Sequence, residues 1–291
     1  MHHVGTFDEA VLKTPPGYEN HSEGFTRFSV VDHTIVDCVH MGVGVCQLEP
    51  GGMLTSHVHS YEEAFHILEG QVLLSIDGRN YQFGPGNYGI IEMGLVHAWR
   101  NAGSARVRWH EMASPQPRPI DHPELDTFFI NSGNIPIEGV PPDLQDPLTR
   151  GLGHFDVSHL PPAAQVQMDG YRGGSIHGVS IQMLVDRFLG AQHLTTFIVQ
   201  FQPGGEGNVH DHPYEESYFF LSGEADALLD GKEYHIKAGD YVWSSVGSTH
   251  GFFNTGSTPV RWLETQSPQP PAQQAFRFNA HWQYLADKLN K

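Results

Sequence analysis

The chain has 291 residues, 39% of them apolar and 11% aromatic, which is enough for one large or two ordinary globular domains. Sixteen basic residues stand against thirty-three acidic ones, and the formal charge of −17 opposes binding to nucleic acid or to an anionic membrane surface. Cys38 and Cys46, outside any CxxC pair, exclude a zinc ribbon or a disulfide framework, and no apolar run has the length of a signal peptide or a membrane span. The expectation is a cytoplasmic protein with two buried thiols.

Thirty-two glycines and twenty prolines, scattered along the chain, suit many short strands joined by turns. The first chemically dense stretch is GGMLTSHVHSYEEAFHILEG, residues 51–70. Residues two apart on a strand share a face, so His57 and His59 present both imidazoles together, and Glu63 has the same parity. AFHILEG and QVLLSIDGRNYQF follow as strands, the second folding back at Asp77-Gly78. His97, from a later strand, completes a set of three nitrogens and one oxygen. Such a set suits an octahedral divalent first-row metal with positions left open, whereas a closed structural zinc site is more often tetrahedral and thiolate-rich. Open positions imply room for substrate, water or dioxygen.

The stretch is written twice. GGEGNVHDHPYEESYFFLSG, residues 204–223, repeats the spacing as His210, His212 and Glu216, an offset of 210 − 57 = 153. The offset holds without a gap through His97 with His250 and Asn101 with Asn254, and ends on SPQP at 114–117 and 267–270. The chain is therefore a tandem duplication of β units, the usual size of one domain each. The domains expected are a barrel over 1–118, a connector rich in proline and turn signals over 119–169, and a second barrel with a C-terminal helix over 170–291. That helix is read from NAHWQYLADKLNK, with Asn279 as its N-cap and Trp282, Leu285 and Leu289 at helical spacing.

With the motifs set out, the sequence resembles the cupins in their two-domain or bicupin form. Their first motif, G(x)5HxH(x)3–4E(x)6G, is matched by Gly51, His57, His59, Glu63 and Gly70, and again by Gly204, His210, His212, Glu216 and Gly223. Their second, G(x)5PxG(x)2H(x)3N, is matched by Gly86, Gly94, His97 and Asn101, and by Gly239, Gly247, His250 and Asn254. Glu92 and Ser245 replace the proline, a departure expected to loosen a turn. The resemblance implies an all-β fold of two tandem jelly-roll barrels. It also implies one metal per barrel, iron, manganese, nickel, cobalt, copper or zinc, on His57, His59, Glu63 and His97 and on His210, His212, Glu216 and His250.

Parity places Phe65 and Ile67 in the first pocket and Tyr218 and Phe220 in the second, with Trp99 and Phe252 facing the same way. Aromatic cavities beside a metal suit a small organic substrate with one chelating end, and assembly into a homo-oligomer is compatible with this reading. In the bicupin oxalate decarboxylases an arginine lies three residues before the first histidine; Leu54 and Gly207 stand there here. Arg108 and Arg261 recur on the final strand, where they read as surface charges, and His66 has the opposite parity from Glu63. With no anion clamp in view, the favoured expectation is a dioxygenase acting on an enol, diketone or phenol, with Glu63 or Glu216 as ligand and base. An oxygen-independent isomerase or lyase and a non-catalytic binding protein are the alternatives. Tyr218 replaces Phe65, and its extra hydroxyl leads us to expect the second barrel to matter at least as much as the first for turnover.

Overall fold

The computed structural model describes residues 1–118, 126–131, 135–163 and 176–270 and the backbone of 277–278. The expected C-terminal helix lies outside the described residues. Strands β1 His2–Thr6, β2 Ser22–Val31, β3 Gly42–His59, β4 Glu62–Glu69, β5 Val72–Ile76, β6 Arg79–Phe83 and β7 Asn87–Ile91 come first. They are followed by β8 His97–Arg100, β9 Val107–Ser114, β10 Thr127–Phe129, β11 Leu152–His154, β12 Ile176–Val185 and β13 Thr195–Asp211. The rest are β14 Glu215–Ser222, β15 Glu224–Leu229, β16 Lys232–Lys237, β17 Asp240–Ser244, β18 His250–Phe253, β19 Val260–Ser267 and β20 Arg277–Phe278.

Two curled sheets carry the duplication. One runs β11-β7-β4-β9-β3-β8-β5-β6 and the other β1-β17-β14-β19-β13-β18-β15-β16, with β2 and β10 added to β3, and β12 and β20 to β13. From β7 and β17 onward the two paths are the same repeat strand for strand. Each path begins with a strand from outside the repeat, β11 on β7 and β1 on β17, which covers an edge that would otherwise present unpaired backbone groups. The compact units accordingly interrupt one another in sequence. The N-terminal unit is Phe7–Val157 with Leu184–Thr195, and the C-terminal unit is Met1–Thr6, Ser158–Met183 and Thr196–Lys291. Part of the segment read as a connector, β10 and β11, therefore belongs to the N-terminal unit's sheet, and the chain's first six residues belong to the C-terminal unit.

Local chemistry explains the repeat. Asp77-Gly78 and Asp230-Gly231 all take positive φ, between 47° and 78°, the two-residue turn whose twist matches the flanking strands β5–β6 and β15–β16. Gly70 and Gly223 end the first motif because a Cβ there would stand 2.5 Å from the carbonyl oxygens of Arg106 and Pro259. Asn101 and Asn254 are structural. Each donates its amide to two backbone carbonyls, Leu48 and Ala105 in one unit and Phe201 and Thr258 in the other, and accepts from Gly103 or Gly256 N–H. The turn that lacks its proline forms regardless: Leu95 N–H reaches Glu92 O at 3.1 Å and Ser248 N–H reaches Ser245 O at 3.0 Å. Inside each curl lies an aromatic core, built on Phe65, Phe83, Trp99 and Trp109 in one unit and on Phe201, Phe220, Phe252 and Trp262 in the other.

Candidate metal centres and the first cavity

His57 and His59 lie at the end of β3, Glu63 is the second residue of β4, and His97 opens β8, where it pairs directly with His57. A register shift between Leu54 and His57, matched by one between Gly207 and His210, is the kind of bulge that re-aims side chains next to a site. One nitrogen from each of His57, His59 and His97 falls within 4.8 Å of the others, and so it does for His210, His212 and His250. Glu63 Oε2 lies 3.0 Å from His59 Nε2 and 3.6 Å from His97 Nε2. In the second unit Glu216 Oε2 lies 2.6 Å from His212 Nε2 and 3.2 Å from His250 Nε2. All eight side chains are buried.

The donor set fits a cation on the chemistry of its own atoms. Five of the six imidazoles aim Nδ1 at a backbone carbonyl: Thr55, Leu95, Asn208, Tyr214 and Ser248, at 2.7–3.0 Å. A carbonyl only accepts, so Nδ1 carries the proton and Nε2 turns a lone pair inward. Those lone pairs face one another and a carboxylate, an arrangement that repels itself until a positive charge enters. His97 Nε2 and His250 Nε2, both buried, make no hydrogen bond. Burial, then the neighbouring imidazoles of His97 and His59, hold His57 well below the usual histidine range; burial and His250 bring His210 down to about 3. Burial opposes ionisation of Glu63 and Glu216, yet the adjacent imidazoles outweigh it and hold both below the usual carboxylate range. Neutral imidazole and ionised carboxylate are the states that bind a metal.

The two centres differ in what surrounds them. His59 alone sends Nδ1 to a side chain, Thr127 Oγ1 on β10 at 2.9 Å, and the same oxygen meets the hydroxyls of Tyr18 and Tyr61 at 3.2 and 3.3 Å. In the second unit Tyr218, which lies 2% exposed, donates its hydroxyl to Glu216 Oε2, and the Gln266 amide donates to Glu216 Oε1. Burial and the charge of Glu216 push the Glu264 carboxyl well above the usual range, so it keeps its proton, and it accepts from Trp262 Nε1 at 2.8 Å. Phe220 and Phe252 pack with Tyr218 in that unit's core.

A cavity of about 390 Å³ reaches the first centre, lined by His57, His59, Glu63, Tyr18, Tyr61, Trp99, Trp109 and Phe129, among others. Of the pocket residues expected in this unit, Trp99 lies on its wall, whereas Phe65 and Ile67 are fully buried in the core behind it. The cavity also holds a cation that the sequence reading missed. Arg27 on β2 lines it and is ion-paired to Glu111 on β9, so the ground for expecting no anion clamp is removed. Arg27 lies upstream of the motifs and has no repeated counterpart; an isolated arginine in an apolar strand was the available signal. Arg108 needs correction too: it is 9% exposed, with Nε on Gln47 Oε1 at 2.6 Å, and Arg261 reaches Gln200 Oε1 in the same way. His66 faces His110 across β4 and β9, away from the metal ligands. Cys38 and Cys46 are buried thiols and form no disulfide. No helix among the described residues is long and apolar enough to cross a membrane.

A family model described as the cupin domain matches residues 44–113 and 197–265, one match in each repeat. An oxalate-binding protein of Thermotoga maritima is 36% identical over 66 residues, 22% of this chain and 54% of that protein, so the chain spans about half the length of the curated relative it matches. Among solved structures, the oxalate decarboxylase of Lactobacillus farciminis in its formate complex is similar with a TM-score of 0.65 at 17% identity, over 99% of this chain and 93% of that one. A salicylate 1,2-dioxygenase from Pseudaminobacter salicylatoxidans is similar with a TM-score of 0.64 at 11% identity, over 83% and 76%. Identities this low establish a shared fold, and the chemistry has to be argued from the site.

Proposed function

The chain belongs to the cupins in their two-domain form, and from that premise we propose that it is a metal-dependent enzyme, a dioxygenase whose substrate offers the oxygens of an enol, diketone or phenol. The observation that carries this reading is a cage of three imidazoles and one carboxylate, the latter held below its usual range, that opens onto an aromatic-walled cavity of about 390 Å³. A ferrous or related ion held by His57, His59, His97 and Glu63 would supply Lewis acidity and a coordination position for dioxygen. The chain's own part is positioning. Carbonyls of Thr55 and Leu95 and the Thr127 hydroxyl fix the three rings, and Trp99, Trp109 and Phe129 exclude water around a flat substrate. We assign turnover to this first barrel rather than to the second, because Tyr218, the residue that favoured the second, gives its hydroxyl to Glu216.

A second reading, an oxygen-independent isomerase or lyase, rests on Glu63. Its carboxylate is held ionised at the cavity wall and could accept a proton from a carbon next to a carbonyl. Metal analysis of protein purified without added metal, followed by oxygen uptake against diketones, phenols and their hydroxy and oxo acids, tests both. Oxygen consumed in step with carbon–carbon cleavage supports the dioxygenase. Product formed equally well under argon would replace it with the second reading, and a metal-loaded protein that turns over nothing in the panel would leave a binding role.

A further inference from the structure

The metal cage makes no use of Arg27. Its side chain is 21% exposed, on the cavity wall, and its Nε donates to Glu111 Oε2. Among the described residues the two terminal nitrogens have no hydrogen-bond partner in the protein. The guanidinium has room because residue 44 is glycine: a Cβ there would stand 2.6 Å from Arg27 Cζ and Nε and 2.7 Å from Nη2.

The second barrel lacks both halves of this arrangement. Phe197 stands where the 153-residue offset puts Gly44, 4% exposed in that unit's core. On the preceding strand Gly24 and Gly178 mark the register. Both have positive φ, and both abut the equivalent glycine of the next strand, Gly52 or Gly205. Their offset of 178 − 24 = 154 puts Ile181 at the place of Arg27, packed against the core. One barrel thus has a small residue and a half-buried cation where the other has two apolar side chains.

A half-satisfied guanidinium in a walled cavity carries a desolvation cost that an apolar residue avoids. Two terminal N–H groups in one plane fit the two oxygens of a carboxylate, and Glu111 on Nε keeps that plane fixed. Other cations of the cavity do not offer this. Arg118 is committed to Asp126 through several hydrogen bonds, and Lys13 is exposed at the rim.

We infer that the first barrel takes a substrate bearing a carboxylate, which seats on the terminal nitrogens of Arg27 while the oxygen-bearing end of the same molecule meets His57, His59, His97 and Glu63. The inference rests on the reading of the first barrel as the enzyme site and narrows its substrate to an organic acid with a neighbouring oxo, enol or phenolic group. The second barrel, with Ile181 and Phe197, has no such preference.

The test uses full-length zinc-loaded protein under argon, so that binding is measured without turnover. Calorimetric titrations compare pyruvate with 2,3-butanedione, and 2-hydroxybenzoate with catechol, pairs that differ in the carboxylate. The acid of each pair is expected to bind about tenfold or more tightly than its neutral partner. Arg27→Ile combined with Glu111→Gln removes cation and partner together and copies the second barrel's wall; it should erase the difference with metal content unchanged. Arg27→Lys, which keeps the charge and loses the fork, should fall between. If the double variant does not fold, Gly44→Ala, whose Cβ displaces the guanidinium, reads the same difference. Acids that bind no better than their neutral partners, or a preference that survives these variants, would overturn the inference. Absent oxygen uptake with the acid preference intact would count against the dioxygenase alone. Uptake from the acids undiminished by the double variant would count against this inference alone.

Discussion

The two barrels share every metal ligand and almost every turn, yet their walls have separated. Around the first cage stand Arg27, Gly44, Glu111 and Thr127; around the second stand Ile181, Phe197, Glu264, Tyr218 and Gln266. Glu111 has a guanidinium for a partner, while Glu264 keeps a proton. A ligand cage tolerates little change, because each imidazole is fixed by a hydrogen-bond partner behind it, whereas a wall residue can be exchanged for another of suitable volume. The difference teaches that duplication preserved two candidate metal cages and gave them different neighbours.

The largest effect should come from removing one cage at a time. His57→Ala with His59→Ala, and separately His210→Ala with His212→Ala, should each lower metal content by one ion. Only the first pair should cut turnover, by about a hundredfold or more, in line with loss of a catalytic metal. Elemental analysis and rates on the same preparations check this, and an equal loss from the second pair would break the assignment of turnover to the first barrel.

Acid should separate the barrels next. His66 and His110, buried and opposite one another, are lowered from the usual 6.5 to about 4 and about 3, both chiefly by burial; Phe219 and Leu263 hold the equivalent positions. Well above pH 6.5 both histidines are neutral whether folded or not, and they take nothing from stability. As pH falls from 6.5 towards 3 the unfolded chain binds protons that the folded one refuses, so the first barrel loses on the order of a few kcal/mol per histidine. Denaturant titrations at pH 7 and pH 4 should show that loss, and His66→Phe with His110→Leu should flatten it.

Thr127→Val leaves His59 Nδ1 without its partner and is expected to weaken metal binding at the first site about 10- to 100-fold, leaving the second unchanged. Competition with a chelator reads the two sites separately. The smallest change expected is from Tyr218→Phe, which takes one hydrogen bond from Glu216 and should weaken the second site about tenfold, with turnover unaffected. A fall in turnover with Tyr218→Phe would restore weight to the second barrel.

Most of the fold and the candidate cage were legible in the sequence because short-range rules and an ungapped repeat mark them. Strand parity brings His57 and His59 together, turn chemistry fixes Asp77-Gly78, and an ungapped repeat turns a weak histidine pair into a strong signal. What escaped was non-local. Arg27 enters the cavity from a strand outside the motifs, and only the pairing of β2 with β3 shows that it lies over Gly44. Arg108 looked like a surface charge because its partners, Gln47 and Glu9, lie far off in sequence. Phe65 and Ile67 have the parity expected of them, but parity gives a face and not a depth, and they lie behind the cavity rather than on it.

The pairing of β1 with β17 sets an order of events during synthesis. His2 pairs in register with Ser244, a separation of 244 − 2 = 242 residues, so β1 leaves the ribosome long before its partner strand and must wait for it. Closing so long a loop costs only slightly more entropy than closing one of half the length, but it delays the contact. Until it forms, the β17 edge is bare backbone and open to pairing with another nascent chain. A fragment cut at the repeat boundary would carry that bare edge permanently, so the C-terminal unit made alone from Ser158 should aggregate, and adding His2–Thr6 as a separate peptide should suppress it.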